Sequence, residues 1–261
     1  MKYGFIGCGN MGGAIARTLR KSTDSIMIFD PDIRAISFAK ELGCEYGSKE
    51  DVITQCDHVF LAVKPQIMEI ALKDMQSLLQ EKKPVLITMA AGLEIAQIEA
   101  YAGCKLPIIR IMPNTPVAVG RGMITYCYNE LVSQGTVDTF LDDMKYAGKL
   151  DAIPEKLIDA ASAVAGCGPA FMYMYIEALA DGAVACGLPR DKAIEYAAMT
   201  MAGGAEMVLS TKQHPGALKD AVCSPGGSTI AGVKAMEING LRAAAMESVI
   251  AAYQRTLELG K

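Results

Sequence analysis

The sequence predicts an α/β protein: a doubly wound, mostly parallel sheet over 1–152, followed by an all-helical domain over 153–261. Three observations carry this reading. A glycine turn, Gly7-Cys8-Gly9-Asn10-Met11-Gly12, joins a short apolar run to a helical pattern. Continuous apolar runs then alternate with helical stretches, the rhythm of strand and crossover helix. Around Lys149 to Pro154 that rhythm stops, and Ala-, Met- and Gly-rich helical periodicity takes over.

The first element is Tyr3-Gly4-Phe5-Ile6, and the helix after the turn is marked by Ala14, Ile15 and Leu19. Gly7 permits the tight turn, Gly9 lets the backbone approach a pyrophosphate, and Gly12 lets the helix pack against the strand. This is a Rossmann-type dinucleotide signature, and Asn10 and Met11 belong to the same candidate cofactor site. The second strand, Ser25 to Phe29, ends at Asp30, placed to accept from the adenosine ribose 2′-hydroxyl. A carboxylate there repels a 2′-phosphate, which favours NADH, whereas Arg34 one turn on could reach over such a phosphate. The expected cofactor is therefore NADPH or NADH. Asp30-Pro31-Asp32 equally suits a helix start, with acids at the positive end of the dipole.

Ser48 joins the candidate cofactor contacts ahead of the next strand. His58 to Val63 is an apolar run suited to a strand buried on both faces, and Val85 to Met89 and Ile108 to Met112 repeat it. Helical stretches at Ile67 to Leu79 and Ile95 to Tyr101 lie between them. In a doubly wound sheet ligands bind beyond the strand C-termini. That edge collects Ala62, Val63 and Lys64, then Ala91 and Gly92, then Asn114 between two prolines. Lys64 also reads as a solvated strand-end lysine and Asn114 as a turn former. His58 reads as structural.

Composition narrows the function classes. The chain of 261 residues is 51% hydrophobic and 21% charged, as in a well-cored globular protein. A net charge of −4, with no basic cluster since Lys82-Lys83 is only a pair, argues against nucleic acid. No apolar run approaches the ~18 residues of a membrane span, and the chain enters a strand at once with no signal-like segment, so a cytoplasmic protein is expected. The eight cysteines, Cys8, Cys44, Cys56, Cys104, Cys127, Cys167, Cys186 and Cys223, show no C-x-x-C pair, so no metal site is expected and most read as small buried hydrophobes.

Helical periodicity then covers Leu157 to Ala165, Ala170 to Cys186, Asp191 to Leu209 and Leu241 to Leu259. Its small residues allow close helix contacts, and its apolar surface is too large to face water, so an obligate dimer is expected. Between the last two helices lies Ser224-Pro225-Gly226-Gly227-Ser228-Thr229-Ile230. Pro225 stops what precedes it, and the glycines free the backbone so that the N–H groups of Gly227, Ser228 and Thr229 can line an anion cradle at a helix start. Ser224, Ser228 and Thr229 add uncharged hydroxyls, suited to a small zwitterion or carboxylate.

Two segments, AGCGPAFMYMYIEALADGAVACGLPR from Ala165 and HPGALKDAVCSPGGSTIAGVKAME from His214, resemble the C-terminal signature of the pyrroline-5-carboxylate reductases. AVKPQ at Ala62 and RIMPNTP at Arg110 match the same family, and the resemblance runs over essentially the whole chain. It implies reduction of a cyclic imine to proline by NAD(P)H, and dimers that assemble into larger rings such as a decamer. It also implies that Thr229 contacts the ring nitrogen as the catalytic residue and that Ser224 binds the carboxylate, beside Gly226, Gly227 and Ser228. The chain departs from the family's pattern at Asp30, at Cys167 within Ala165-Gly166-Cys167-Gly168-Pro169, and at Met199.

The residues themselves agree with that reaction. Alcohol oxidation needs a base, and the C-terminal half offers no evident one; a protonated imine needs orientation and a hydroxyl. Two alternatives stay open: a β-hydroxyacid dehydrogenase using Lys192, Lys219 or Lys234 as base, and a non-catalytic dinucleotide sensor.

Overall fold

The computed structural model describes residues 1–259. Its packing forms two compact units, one of Met1–Cys167 together with the described residues from Ala252, the other of Gly168–Ala251.

The first unit is built on one eight-stranded sheet. Its strands are β1 (Tyr3–Ile6), β2 (Ile26–Phe29), β3 (Glu45–Tyr46), β4 (His58–Leu61), β5 (Val85–Thr88), β6 (Ile108–Met112), β7 (Gly122–Tyr128) and β8 (Gly148–Ala152). Their order is β3-β2-β1-β4-β5-β6-β7-β8, and only the β6–β7 pair is antiparallel. The alternation of side chains along a strand splits the core into two layers. Phe5, Phe60, Ile87 and Ile109 fall on one face, and Ile6, Val59, Leu61 and Leu86 on the other. Both faces are covered, so the central strands read as unbroken apolar runs. Phe5 stacks on Phe60 with ring centroids 4.6 Å apart across the β1–β4 pair.

The expected helix over Ile67 to Leu79 is two helices, Pro65–Asp74 and Gln76–Lys82, meeting at Met75. The cysteines also differ from expectation: all eight are free, but only Cys56 is fully buried, six are half-buried and Cys186 is exposed.

The sheet ends at Ala152, yet the unit continues to Cys167. Arg110, fully buried on β6, holds this extension: its Nη1 lies 3.2 Å from Glu155 Oε1 and its Nη2 2.6 Å from Asp159 Oδ1. Glu155 also accepts from the Ile95 backbone N–H at 2.8 Å. The helix Ile158–Ala165 is thus tied to the sheet by charge as well as by burial of Ile158 and Ala163.

The second unit consists of helices Gly168–Ala185, Arg190–Thr211, Pro215–Ala221 and Ser228–Ile238 and the first part of Leu241–Leu259. Within Gly168–Ala251 the buried hydrophobic residues are Ala180, Ala193 and Ala197, while Tyr173, Met174, Met199, Leu209 and Met246 are exposed. The helical run Glu155–Ala185 corrects the expectation about membrane spans: an 18-residue window within it has a mean hydropathy of 1.3, the length and apolar composition of one. It reaches that average without an unbroken apolar run, and the helix is interrupted between Ala165 and Gly168.

Candidate functional site

The loop after β1 is shaped by close backbone approach. Gly7 has φ +92°, and a Cβ there would meet the Ala62 carbonyl oxygen at 2.7 Å, so only glycine fits. Its N–H donates to the Phe29 carbonyl at 2.8 Å, binding the loop to β2. At Gly12 a Cβ would lie 2.9 Å from both Ala62 Cβ and the Gly7 carbonyl oxygen, so this glycine sets how near the helix Asn10–Leu19 comes to β4. Over Gly9 the space is open, and Gly9 caps that helix without any side chain satisfying its first turn. Unfilled first-turn N–H groups beside open space suit a pyrophosphate. The residues present therefore fit a dinucleotide.

Beside the loop lies an open cleft of about 490 Å³, its wall including Cys8, Asn10, Arg17, Asp30 and Arg34. Asp30 Oδ2 accepts from the Cys8 backbone N–H at 2.6 Å and its Oδ1 from the Asp32 N–H at 2.8 Å. The carboxylate braces the glycine loop against the turn after β2. Burial, and next the Asp30 charge, push the Cys8 thiol up to about 12, so it stays protonated and is no nucleophile. Hydrogen bonds from Arg34 hold the Asp32 carboxyl down at about 2.

Because β1, β4, β5 and β6 run parallel, the turns that follow them share one edge of the sheet. Ala62 and Val63 follow β4, and Lys64, exposed, caps the helix Pro65–Asp74. Ala91 and Gly92, the latter at φ +76°, follow β5. Two candidate contacts have side chains engaged in the scaffold. Asn114 is buried after β6; its amide N–H donates to the Ala165 carbonyl and its oxygen accepts from the Met123 N–H, both at 2.9 Å. Ser48 caps the helix Lys49–Gln55, its hydroxyl accepting from the Asp51 N–H at 3.0 Å. Rigid flanking prolines pointed to Asn114, but the partners that use its amide are distant in sequence and left no local signal.

In the helical unit, Ser224-Pro225-Gly226-Gly227 closes a turn in which the Gly227 N–H donates to the Ser224 carbonyl at 3.1 Å. Gly226 occupies the third position at φ +71°, a left-handed conformation that favours glycine. The Gly227 N–H therefore serves the turn, a correction to the expected cradle, which keeps the first-turn N–H groups of Ser228 and Thr229. A Cβ on Gly227 would collide with Ser224 Oγ, so this glycine lets that hydroxyl lie at the mouth of the helix Ser228–Ile238. Ser224, Ser228 and Thr229 are all exposed. His214 caps the helix Pro215–Ala221, its Nδ1 accepting from the Gly216 N–H at 3.0 Å. Lys219 pairs with Asp220 at 2.6 Å and Arg242 with Glu237 at 2.7 Å, two separate pairs.

Comparison with known proteins bears on both units. Residues 155–259 match the family model for pyrroline-5-carboxylate reductase dimerisation, and residues 2–92 match one for NADP oxidoreductase, coenzyme F420-dependent. The Escherichia coli pyrroline-5-carboxylate reductase is 39% identical over 100% of this chain and 98% of its own. The chain belongs to the pyrroline-5-carboxylate reductase family. The Arabidopsis thaliana member is 38% identical over 100% of this chain and 96% of its own. The Plasmodium falciparum pyrroline carboxylate reductase, crystallised with NADP bound, superposes with a TM-score of 0.91 at 33% identity, covering 100% of this chain and 98% of that one.

Proposed function

We propose that this chain reduces 1-pyrroline-5-carboxylate to L-proline with NADPH or NADH, working in the cytoplasm as a homodimer or a ring of dimers such as a decamer. The observation that carries the reading is the Ser224–Thr229 turn, which offers hydroxyls and helix N–H groups without an ionisable side chain. Such a site suits a small carboxylate beside a C=N bond. The reduced nicotinamide, when bound, supplies the hydride. The chain supplies geometry and hydrogen bonds: Ser224 Oγ and the N–H groups of Ser228 and Thr229 hold the substrate carboxylate, and Thr229 Oγ1 accepts from the protonated ring N–H. A C–H bond forms at the imine carbon, the π pair moves onto nitrogen, and no base is required. Around the dinucleotide, the glycine loop receives the pyrophosphate, while Ala62, Val63, Lys64, Ala91 and Gly92 form the edge on which the rest of the cofactor lies.

The dehydrogenase alternative is the weaker fit for two of its three candidate bases, since Lys192 pairs with Glu195 at 3.0 Å and Lys219 with Asp220, and it rests on Lys234. The exposed apolar faces of the helical unit, together with the dimerisation model matched there, support assembly with a second copy, and that contact also accounts for the apolar helix Gly168–Ala185. The test is to mix the purified protein with pyrroline-5-carboxylate and each reduced cofactor and follow nicotinamide absorbance. Oxidation with at least one is expected. Silence with both would reject the proposal, and oxidation driven only by a 3-keto acid would favour the hydroxyacid dehydrogenase.

A further inference from the structure

Resting on the dinucleotide site of the proposed function, we infer that this chain discriminates for NADH against NADPH, and that the fixed carboxylate of Asp30 is the discriminating group. The position at the end of β2 faces the adenosine ribose in dinucleotide folds. A carboxylate on a free side chain could rotate away from a 2′-phosphate, but Asp30 cannot do so cheaply. Both its oxygens accept backbone N–H groups, Cys8 at 2.6 Å and Asp32 at 2.8 Å, and turning it would leave two donors unpaired and release the glycine loop. Each oxygen keeps a further lone pair with which to accept from a ribose hydroxyl. A phosphate offers no proton in return and brings nearly two negative charges.

The cations on the rim do not reverse this. Arg34 forms a bidentate pair with Asp32, its Nε 3.0 and 2.9 Å from the two oxygens, but its side chain is 88% exposed. Such an exposed pair is worth little, so Arg34 is free to move; when it does, Asp32 is left as a second negative charge beside the first. Arg17 lies 4.7 Å over the Phe38 ring and donates to Glu41 at 2.9 Å. Every positive charge on this rim thus carries its own carboxylate, and Asp30 is the surplus.

The test is equilibrium binding of NADH and NADPH to the full-length protein by calorimetry, without substrate. NADH is expected to bind about tenfold more tightly or better. Because the penalty is charge repulsion, raising ionic strength from about 0.05 to 0.5 M should narrow the ratio. Asp30→Asn, which keeps the shape and one acceptor, should collapse the ratio mainly by tightening NADPH, whereas Asp32→Asn should move it about twofold or less. Equal or tighter NADPH binding by the wild-type protein overturns the inference and leaves the reductase reading standing; a ratio indifferent to salt and to Asp30→Asn overturns it too. Failure to bind either cofactor overturns the inference and the dinucleotide site together.

Discussion

Along β1, β4 and β5 almost every side chain is buried and Phe5 stacks on Phe60, whereas across Gly168–Ala251 the buried hydrophobic residues are three alanines and Met174 remains 70% exposed. The same hydrophobic effect acts on both regions, at about 1.5–3 kcal/mol for each large side chain removed from water. The sheet unit collects that energy within one chain. In the helical unit it remains available for assembly, so the sheet unit should fold by itself while the helical unit depends on a partner copy.

The largest effect that could break this contrast comes from Met174→Asp. A charge placed on this exposed apolar face should convert the assembly to smaller species in sedimentation and remove reductase activity, while NADH binding by the sheet unit persists. An unchanged sedimentation profile would show that this face is not covered by a partner. Next is Arg110→Ala, which strands Glu155 and Asp159 against the sheet and should cost about 3 kcal/mol in denaturant unfolding. A loss below about 1 kcal/mol would mean that apolar packing alone holds the helix Ile158–Ala165 to the sheet.

The smallest effect concerns His58. It is buried on β4 against Tyr3, with ring centroids 5.1 Å apart, and neither ring nitrogen has a hydrogen-bond partner among the described residues. Burial holds its pKa below the usual histidine value, opposed by the Asp57 and Asp143 charges and aided by that of the N-terminus; Tyr3 itself donates to Asp143 at 2.6 Å. The unfolded chain then binds the proton more readily than the folded one. Stability is complete above the unfolded value near 6.5 and is lost as pH falls below it, by at most about 1.4 kcal/mol per pH unit. His58→Phe should flatten that acid-side slope. An unaltered slope would show that the imidazole is protonated equally in both states.

The central strands β1, β4, β5 and β6 were readable because burial on both faces leaves an unbroken apolar run. Three others gave weaker signals: β3 is two exposed residues, β8 carries Lys149 and Asp151, and β7 follows an irregular turn that obscures its start. The paired role of Asp30 could be read only in part, since its position suggested a ribose contact while its bonds to Cys8 and Asp32 depend on how two loops meet. Arg110 lay inside a recognisable motif, but its partners Glu155 and Asp159 follow two strands and a helix later, beyond any local pattern. At Ser224–Thr229 the turn chemistry was evident from Pro225 and Gly226, and what the sequence could not show is that Gly227 spends its N–H on closing that turn.

Thr229→Ala provides the most direct test, with turnover of pyrroline-5-carboxylate and NADH affinity measured on the same preparation. Loss of a hydrogen bond at the reacting nitrogen should lower kcat about a hundredfold or more, with the NADH dissociation constant unchanged. Wild-type turnover in this variant would contradict the assignment of substrate to the helical unit's turn, and a parallel loss of NADH binding would contradict the division of labour between the two units.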